Sequence, residues 1–140
     1  MATGKEIYEK LLKRGVPAPN AAILVGSMKQ ESGFNPSAWN AKEKAGGLIQ
    51  WRKDRLQNLM DFAKEHGTKP GSVDTQLDFL VHEMTLGSES EAGGKFLDAG
   101  TDPETLNKAL KGYIRWGDDS DATRLENAKP FFKDSIVGQP

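Results

Sequence analysis

The chain of 140 residues contains no cysteine, which excludes disulfides, thiol nucleophiles and thiolate metal sites. Histidine is nearly absent as well, with only His66 and His82. His82-Glu83 has no second histidine at the spacing of an HExxH zinc helix. A zinc amidase or peptidase is therefore set aside, and neither a metal nor a cofactor is expected. Charge of neither sign dominates: 19 Lys and Arg stand against 20 Asp and Glu, for a net charge of −1. A general nucleic-acid binder needs a basic face, so no nucleic-acid partner is expected, and any polymer is held by a shaped groove. No apolar run approaches the ~20 residues of a bilayer-spanning helix. The start MATGKEIYEK has neither the apolar stretch nor the cleavage site of a secretory signal peptide. The expectation is a protein without a membrane span, made in the cytoplasm and brought to any external substrate by another route. Gly93-Gly94 lacks the rest of a phosphate-binding loop.

What the chain does contain is a succession of capped helical patterns. Thr3 and Glu6 have capping-box spacing, and Ile7, Tyr8, Leu11 and Leu12 form one apolar face before Gly15 and Pro17. Asn20 is placed to cap a second helix carrying Ala22, Ile23, Leu24 and Met28, which ends at Glu31 to Gly33. A third helix is expected over 54–66, with Leu56, Leu59, Met60, Phe62 and Ala63 inward and Gly67 as its stop. A fourth, over 73–84, would bury Leu77, Leu80, Val81 and Met84, and a shorter one covers 91–99. Asp102-Pro103 marks the start of a helix with Leu106, Ala109, Leu110 and Tyr113. The last begins near 119–122 and should be kinked or ended by Pro130. The segment NPSAWNAKEKAGGLIQW, residues 35–51, has no helical face and reads as a loop or small β-ribbon. The fold class is mainly α, of α+β type. It has about six to seven helices, with that ribbon or loop between helices two and three, in one domain over 1–140.

Glu31, in KQESGFNP, follows a mostly apolar helix, AAILVGSM. A carboxyl at the C-terminal end of a buried helix meets the negative pole of the helix dipole and loses solvent, and both raise its pKa. Such a group stays protonated near neutral pH, as a general acid must. Local context leaves a second reading open, a frayed helix end with Glu31 in water. The irregular segment bears on the choice: Asn35, Asn40 and Gln50 offer neutral amides, and Trp39 and Trp51 offer flat apolar faces. Amides suit sugar hydroxyls and N-acetyl groups, and aromatics stack on C–H faces.

QESGFNPSAWN followed by AGGLIQW resembles the lysozyme-like superfamily shared by goose-type lysozymes and soluble lytic transglycosylases. In that superfamily a glutamate in an E-S-x-F-N-P context precedes a G-L-x-Q element lining the groove. The sequence is most similar to the phage tail lysozyme type of bacteriophage peptidoglycan hydrolases. In these, GLIQW leads directly into an arginine-bearing helix, as in Trp51-Arg52-Lys53-Asp54-Arg55, and a later helix reads like DTQLDFLVHEM. The resemblance covers roughly residues 18–85 well and the C-terminal third loosely. It implies Glu31 as the catalytic acid, Gln50 as a substrate-positioning residue, and Ser32 and Asn35 as residues shaping the turn after the acid and contributing to substrate binding. Trp39 and Trp51 join the substrate-binding set. A C-terminal aromatic and polar cluster is implied too. It falls on Tyr113-Ile114-Arg115-Trp116-Gly117, which departs from the tyrosine, glutamate, arginine and proline ending of the family; Tyr113 and Trp116 are its candidates.

A retaining or inverting hydrolase pairs its acid with a second carboxylate. The resemblance also implies members that work with one glutamate, using the substrate's own N-acetyl group or forming a 1,6-anhydro product, so the partner stays open. Glu43 is the first candidate by sequence and Asp54 the next; a solvated loop charge is the alternative reading for Glu43. The implied activity is that of a phage lysozyme or muramidase, cleaving the β-1,4 bond between N-acetylmuramic acid and N-acetylglucosamine. A lytic transglycosylase forming 1,6-anhydro products is the alternative. A non-catalytic phage virion or glycan-binding module is the alternative of another class. The implied partners are bacterial peptidoglycan glycan strands, and other phage tail or lysis proteins. The chain would be a monomer unless assembled in a virion. It would act on the bacterial cell wall, either released at lysis as an endolysin or carried in the phage virion.

Overall fold

The computed structural model describes residues 2–137. Among these, seven helices surround one small sheet: α1 Gly4–Lys13, α2 Ala18–Ser32, α3 Asp54–Glu65, α4 Val73–Thr85, α5 Ser90–Leu97, α6 Pro103–Ile114 and α7 Asp121–Val137. The strands β1 Trp39–Asn40, β2 Ala45–Gly46 and β3 Trp51–Arg52 lie between α2 and α3. They form an antiparallel meander in which Trp39 pairs with Gly46 and Gly46 with Trp51. The irregular segment is thus a three-stranded ribbon, and the mainly α class holds. Among the described residues no helix is long and apolar enough to cross a membrane.

Helix ends follow local chemistry. Thr3 and Glu6 make the full capping box on α1, and the Asp102 side chain accepts from the Thr105 N–H at the start of α6. The start of α2 differs from the sequence expectation. Pro17 stands at the cap position, and Asn20 lies inside the first turn, buried, with Nδ2 donating to the Phe96 carbonyl at 2.9 Å. Its amide ties α2 to α5 instead of capping. Met60 is 48% exposed and Leu56 and Phe62 only half-buried, so α3 turns a narrower face inward than its apolar residues suggest, and Val81 of α4 is likewise only half-buried. Pro130 neither ends nor interrupts α7, which continues to Val137; burial of Ala128 and Phe132 on either side of the proline anchors that stretch to the core.

Helix α2 is the centre of the molecule. Every residue from Asn20 to Met28 is buried, as expected for a helix apolar on all sides. Its main neighbour is α7, and Gly26 lets the two backbones meet: a Cβ there would lie 2.5 Å from the Arg124 carbonyl oxygen and 2.8 Å from the Ala128 Cβ. Gly26→Ala is expected to destabilise the protein in urea titrations. Overpacking costs about 1–3 kcal/mol and outweighs the roughly 1 kcal/mol of helix propensity gained. A variant as stable as wild type would show that α7 can move away freely.

Two buried polar hubs on α4 hold the ribbon. Gln76 accepts from the Leu48 N–H through Oε1 and donates through Nε2 to the Pro36 and Pro70 carbonyls, each at 2.8 Å. Gly47, at φ +88°, passes so close that a Cβ would sit 2.8 Å from the Trp51 ring and 3.0 Å from Gln76 Oε1. Two turns further along α4, the Glu83 carboxylate accepts from Trp51 Nε1 (2.8 Å), Tyr113 Oη (2.6 Å), and Nε and Nη2 of Arg55 (2.9 Å each). These bonds join β3, α3, α4 and α6.

Candidate active site

The C-terminal end of α2 opens into a groove of about 460 Å³. Glu31 forms its base. One wall is the ribbon, with Asn40, Glu43, Ala45, Ile49, Gln50 and Arg52; the other is the segment Ile114 to Asp118, with Arg124 of α7 behind it. Gly33 in the left-handed conformation (φ 61°) stops α2, which turns the chain toward the ribbon two residues after the acid. The Ser32 hydroxyl fixes that turn: Oγ lies 3.0 Å from the Met28 carbonyl and 2.8 Å from the Leu48 carbonyl.

The Glu31 side chain is 17% exposed. Its pKa is raised above the usual carboxyl range. Burial is the largest cause, partly offset by the charge and hydrogen bond of Arg124, while the negative charge of Asp118 pushes it further up. Arg124 Nη1 is 3.0 Å from Glu31 Oε2. The guanidinium is itself buried, donating to Ser27 Oγ (2.6 Å) and Ser120 Oγ (2.7 Å) and lying 4.1 Å over the Trp116 ring. Four partners lock it in place, so Glu31 faces a fixed cation. Desolvation nevertheless prevails, and the carboxyl holds its proton to higher pH than a free glutamate.

Gln50, at φ +56°, donates through Nε2 to the Gly47 and Ala38 carbonyls at 2.9 and 3.2 Å. Its Oε1 has no partner among the described residues, which leaves an acceptor in the groove wall. Trp116 lines the opposite wall, its Nε1 donating to Asp121 at 2.6 Å. Glu43 reaches the groove from the β1–β2 turn, paired with Arg52 at 2.7 Å. Trp39 stands on β1 outside the groove lining, 60% exposed.

Four residues assigned to substrate from the sequence lie elsewhere. Trp51 is 1% exposed and Tyr113 fully buried; both spend their polar atoms on Glu83 and offer no face to the groove. Loss of solvent and the neighbouring Glu83 carboxylate push the Tyr113 phenol well above its usual pKa. Ser32 commits its hydroxyl to backbone carbonyls, and Asn35 Oδ1 accepts from the Ser37 N–H at 2.9 Å. Both shape the turn and neither lines the groove. Asp54, the second choice for a partner carboxylate, begins α3 and is likewise outside it.

Arg124 and Asp118 enter the site with no sequence signal of their own, because TRLEN and DDSD read as ordinary solvated segments, whereas Arg115 lies within the C-terminal cluster that the resemblance implied. The Gln76 and Glu83 hubs did carry one. They are polar residues seven apart, two helical turns, among Leu77, Leu80 and Met84 on the inward side of α4.

A helical domain with a small antiparallel ribbon, and with a carboxyl of raised proton affinity at the base of a polar cleft between them, is lysozyme-like. The model of the phage tail lysozyme family matches residues 2–134, and the chain belongs to that family. The match extends through the C-terminal third, beyond the well-matched stretch of the sequence motifs. No curated protein matches the chain. Family membership makes it a lysozyme-like peptidoglycan hydrolase that acts on the bacterial cell wall.

Proposed function

We propose that the protein is a muramidase that cleaves the β-1,4 bond between N-acetylmuramic acid and N-acetylglucosamine, with Glu31 as general acid. The observation that carries this reading is that Glu31, alone of the three carboxyls lining the groove, is largely buried, at the end of α2, and that its pKa is raised. Protonation of the glycosidic oxygen needs an acid that still holds its proton at working pH. Gln50 Oε1 accepts from an N–H or hydroxyl of a sugar in the groove. Asn40 adds a neutral polar edge, and the Ile49, Ile114 and Trp116 surfaces contact the sugar C–H faces. The exposed Trp39 indole extends that surface beyond the groove. These neutral groups suit a glycan's hydroxyls and C–H faces, and the three arginines of the lining, Arg52, Arg115 and Arg124, are matched by the carboxyls of Glu31, Glu43 and Asp118. The chain reaches the wall either released at lysis or carried in a virion.

Mass spectrometry of digests of purified peptidoglycan tests the reading. Soluble fragments with reducing N-acetylmuramic acid ends are expected. Fragments with 1,6-anhydro ends would make the enzyme a lytic transglycosylase, and binding without release of fragments would reduce it to a glycan-binding module.

The pH profile supplies a separate test through Arg124. Its charge lowers the Glu31 pKa against the larger effect of burial. Arg124→Met removes that offset, so Glu31 keeps its proton to higher pH. The alkaline limb of the rate profile, where the acid deprotonates, is expected to move upward. An unchanged alkaline limb in a folded variant would separate that limb from Glu31.

A further inference from the structure

The partner of Glu31 is the open element of the mechanism. Glu43, the first candidate by sequence, lies on the outer turn of the ribbon with its carboxylate 2.7 Å from Arg52, both side chains about half exposed. Its Oε2 is committed to that guanidinium. A different carboxylate enters the same groove from the opposite wall. Asp118, in the segment between α6 and α7, lines it along with Glu31.

Asp118 is fixed to the acid through buried groups. Its Oδ1 accepts a hydrogen bond from Ser120 Oγ. Ser120 Oγ accepts from Arg124 Nε at 2.7 Å, and Arg124 Nη1 lies 3.0 Å from Glu31 Oε2. The two carboxyl groups are thus the ends of one chain of polar atoms. Ser120 is 6% and Arg124 2% exposed, so the middle of the chain cannot swing into solvent. Asp118 Oδ2 has no partner among the described residues. The negative charge of Asp118 also raises the proton affinity of Glu31.

We propose that Asp118 is the second carboxylate of the reaction, the base that takes a proton from the attacking water. The proposal rests on the reading of Glu31 as the acid. The water oxygen bonds to the anomeric carbon as the bond to the leaving O4 breaks. One water proton passes to Asp118 Oδ2, and the Glu31 proton passes to O4. Asp118 then loses its proton to solvent in the open groove, and Glu31 regains one from it. Arg124 does not deprotonate, so it holds the pair apart and does not relay protons. Glu31 and Ser120 occupy different nitrogens of the guanidinium. With a guanidinium and a hydroxyl between the carboxyls, there is room for a water. A base that activates water for direct attack at the anomeric carbon defines the single-displacement route of inverting glycosidases. Cleavage of a β bond then gives the α-anomer first.

The test uses the full chain, purified peptidoglycan and the Asp118→Asn variant, in which the amide oxygen still accepts from Ser120. Its kcat is expected to fall by about 10²–10⁴-fold with little change in KM. Sodium azide should restore part of that rate and yield an α-glycosyl azide, because azide attacks without a base. NMR of the wild-type reaction should show the α-anomer first. Wild-type turnover by Asp118→Asn overturns the proposal, and so does a loss that azide does not rescue. Azide rescue of Glu43→Gln in its place, or a first-formed β-anomer, overturns it too. Failure of the parent reading has a different signature, wild-type turnover by Glu31→Gln.

Discussion

Glu31→Gln is expected to lower the rate of release of soluble fragments from purified peptidoglycan by about 10²–10⁴-fold, the usual contribution of a general acid, with the fold intact. Glutamine matches glutamate in shape, and its Oε1 can still accept from Arg124 Nη1, so the buried guanidinium keeps a partner beside Ser27 and Ser120. What it lacks is an acidic proton for the glycosidic oxygen. The stability side of the same substitution follows from linkage. The folded-state pKa of Glu31 is raised above its unfolded value, so the folded state binds more protons across the window between the two. Its contribution to stability is fully present below the unfolded pKa and is lost as pH rises through the folded pKa. Above the folded-state pKa the ionised glutamate is the costly form, and a neutral glutamine removes that cost. Circular dichroism and urea titration should show a folded variant no weaker than wild type on this account. A folded Glu31→Gln protein that clears peptidoglycan at the wild-type rate would remove Glu31 from the chemistry.

The second large effect is on stability. Glu83→Ala is expected to cost about 3–5 kcal/mol, the range for removing one member of a buried ion pair. The Glu83 side chain is 2% exposed, and its carboxylate is the acceptor for Trp51, Tyr113 and two nitrogens of Arg55. Alanine strands a guanidinium at 15% exposure, together with a buried indole N–H and a buried phenol. Arg55 Nη1 keeps the Tyr113 carbonyl at 2.9 Å, which does not replace the lost charge. Domains of this size have net stabilities of about 5–15 kcal/mol, so the loss is a large fraction of the whole. Glu83→Gln should fall between wild type and alanine, because it keeps an acceptor and the volume but not the charge. Urea midpoints for the three proteins provide the measurement. Equal midpoints for Glu83→Ala and wild type would mean that packing alone holds the ribbon on α4. Activity should drop with stability, because Trp51 is the residue between Gln50 and Arg52 of the groove wall.

The helices were legible because their signals act within a few residues. Thr3 with Glu6 and Asp102 with Pro103 set helix starts through bonds spanning three residues. Glycine content and the missing apolar face marked 35–51 as irregular. Where the expectation failed, a distant contact had overridden a local preference. Asn20 has the chemistry of a cap, but the Phe96 carbonyl claims its amide. Pro130 has the chemistry of a stop, but burial on both sides of it keeps α7 in place. Trp51 and Tyr113 have the composition of a sugar platform, but Glu83 draws both into the core.

By itself the sequence determined the helix series, the position of the ribbon and the appearance of Glu31 at the end of a buried helix. Those features follow from caps, periodicity and turn residues, all of which are short-range. Only the tertiary structure decided what surrounds that carboxyl. Packing of α7 on α2 at Gly26 brings Arg124 onto Glu31, and the segment before α7 carries Asp118 into the same groove. The physical reason is that desolvation and charge act through space. Burial raises the proton affinity of Glu31; Arg124 and Asp118, about ninety positions away in the chain, adjust it, and no local pattern near Glu31 encodes those two.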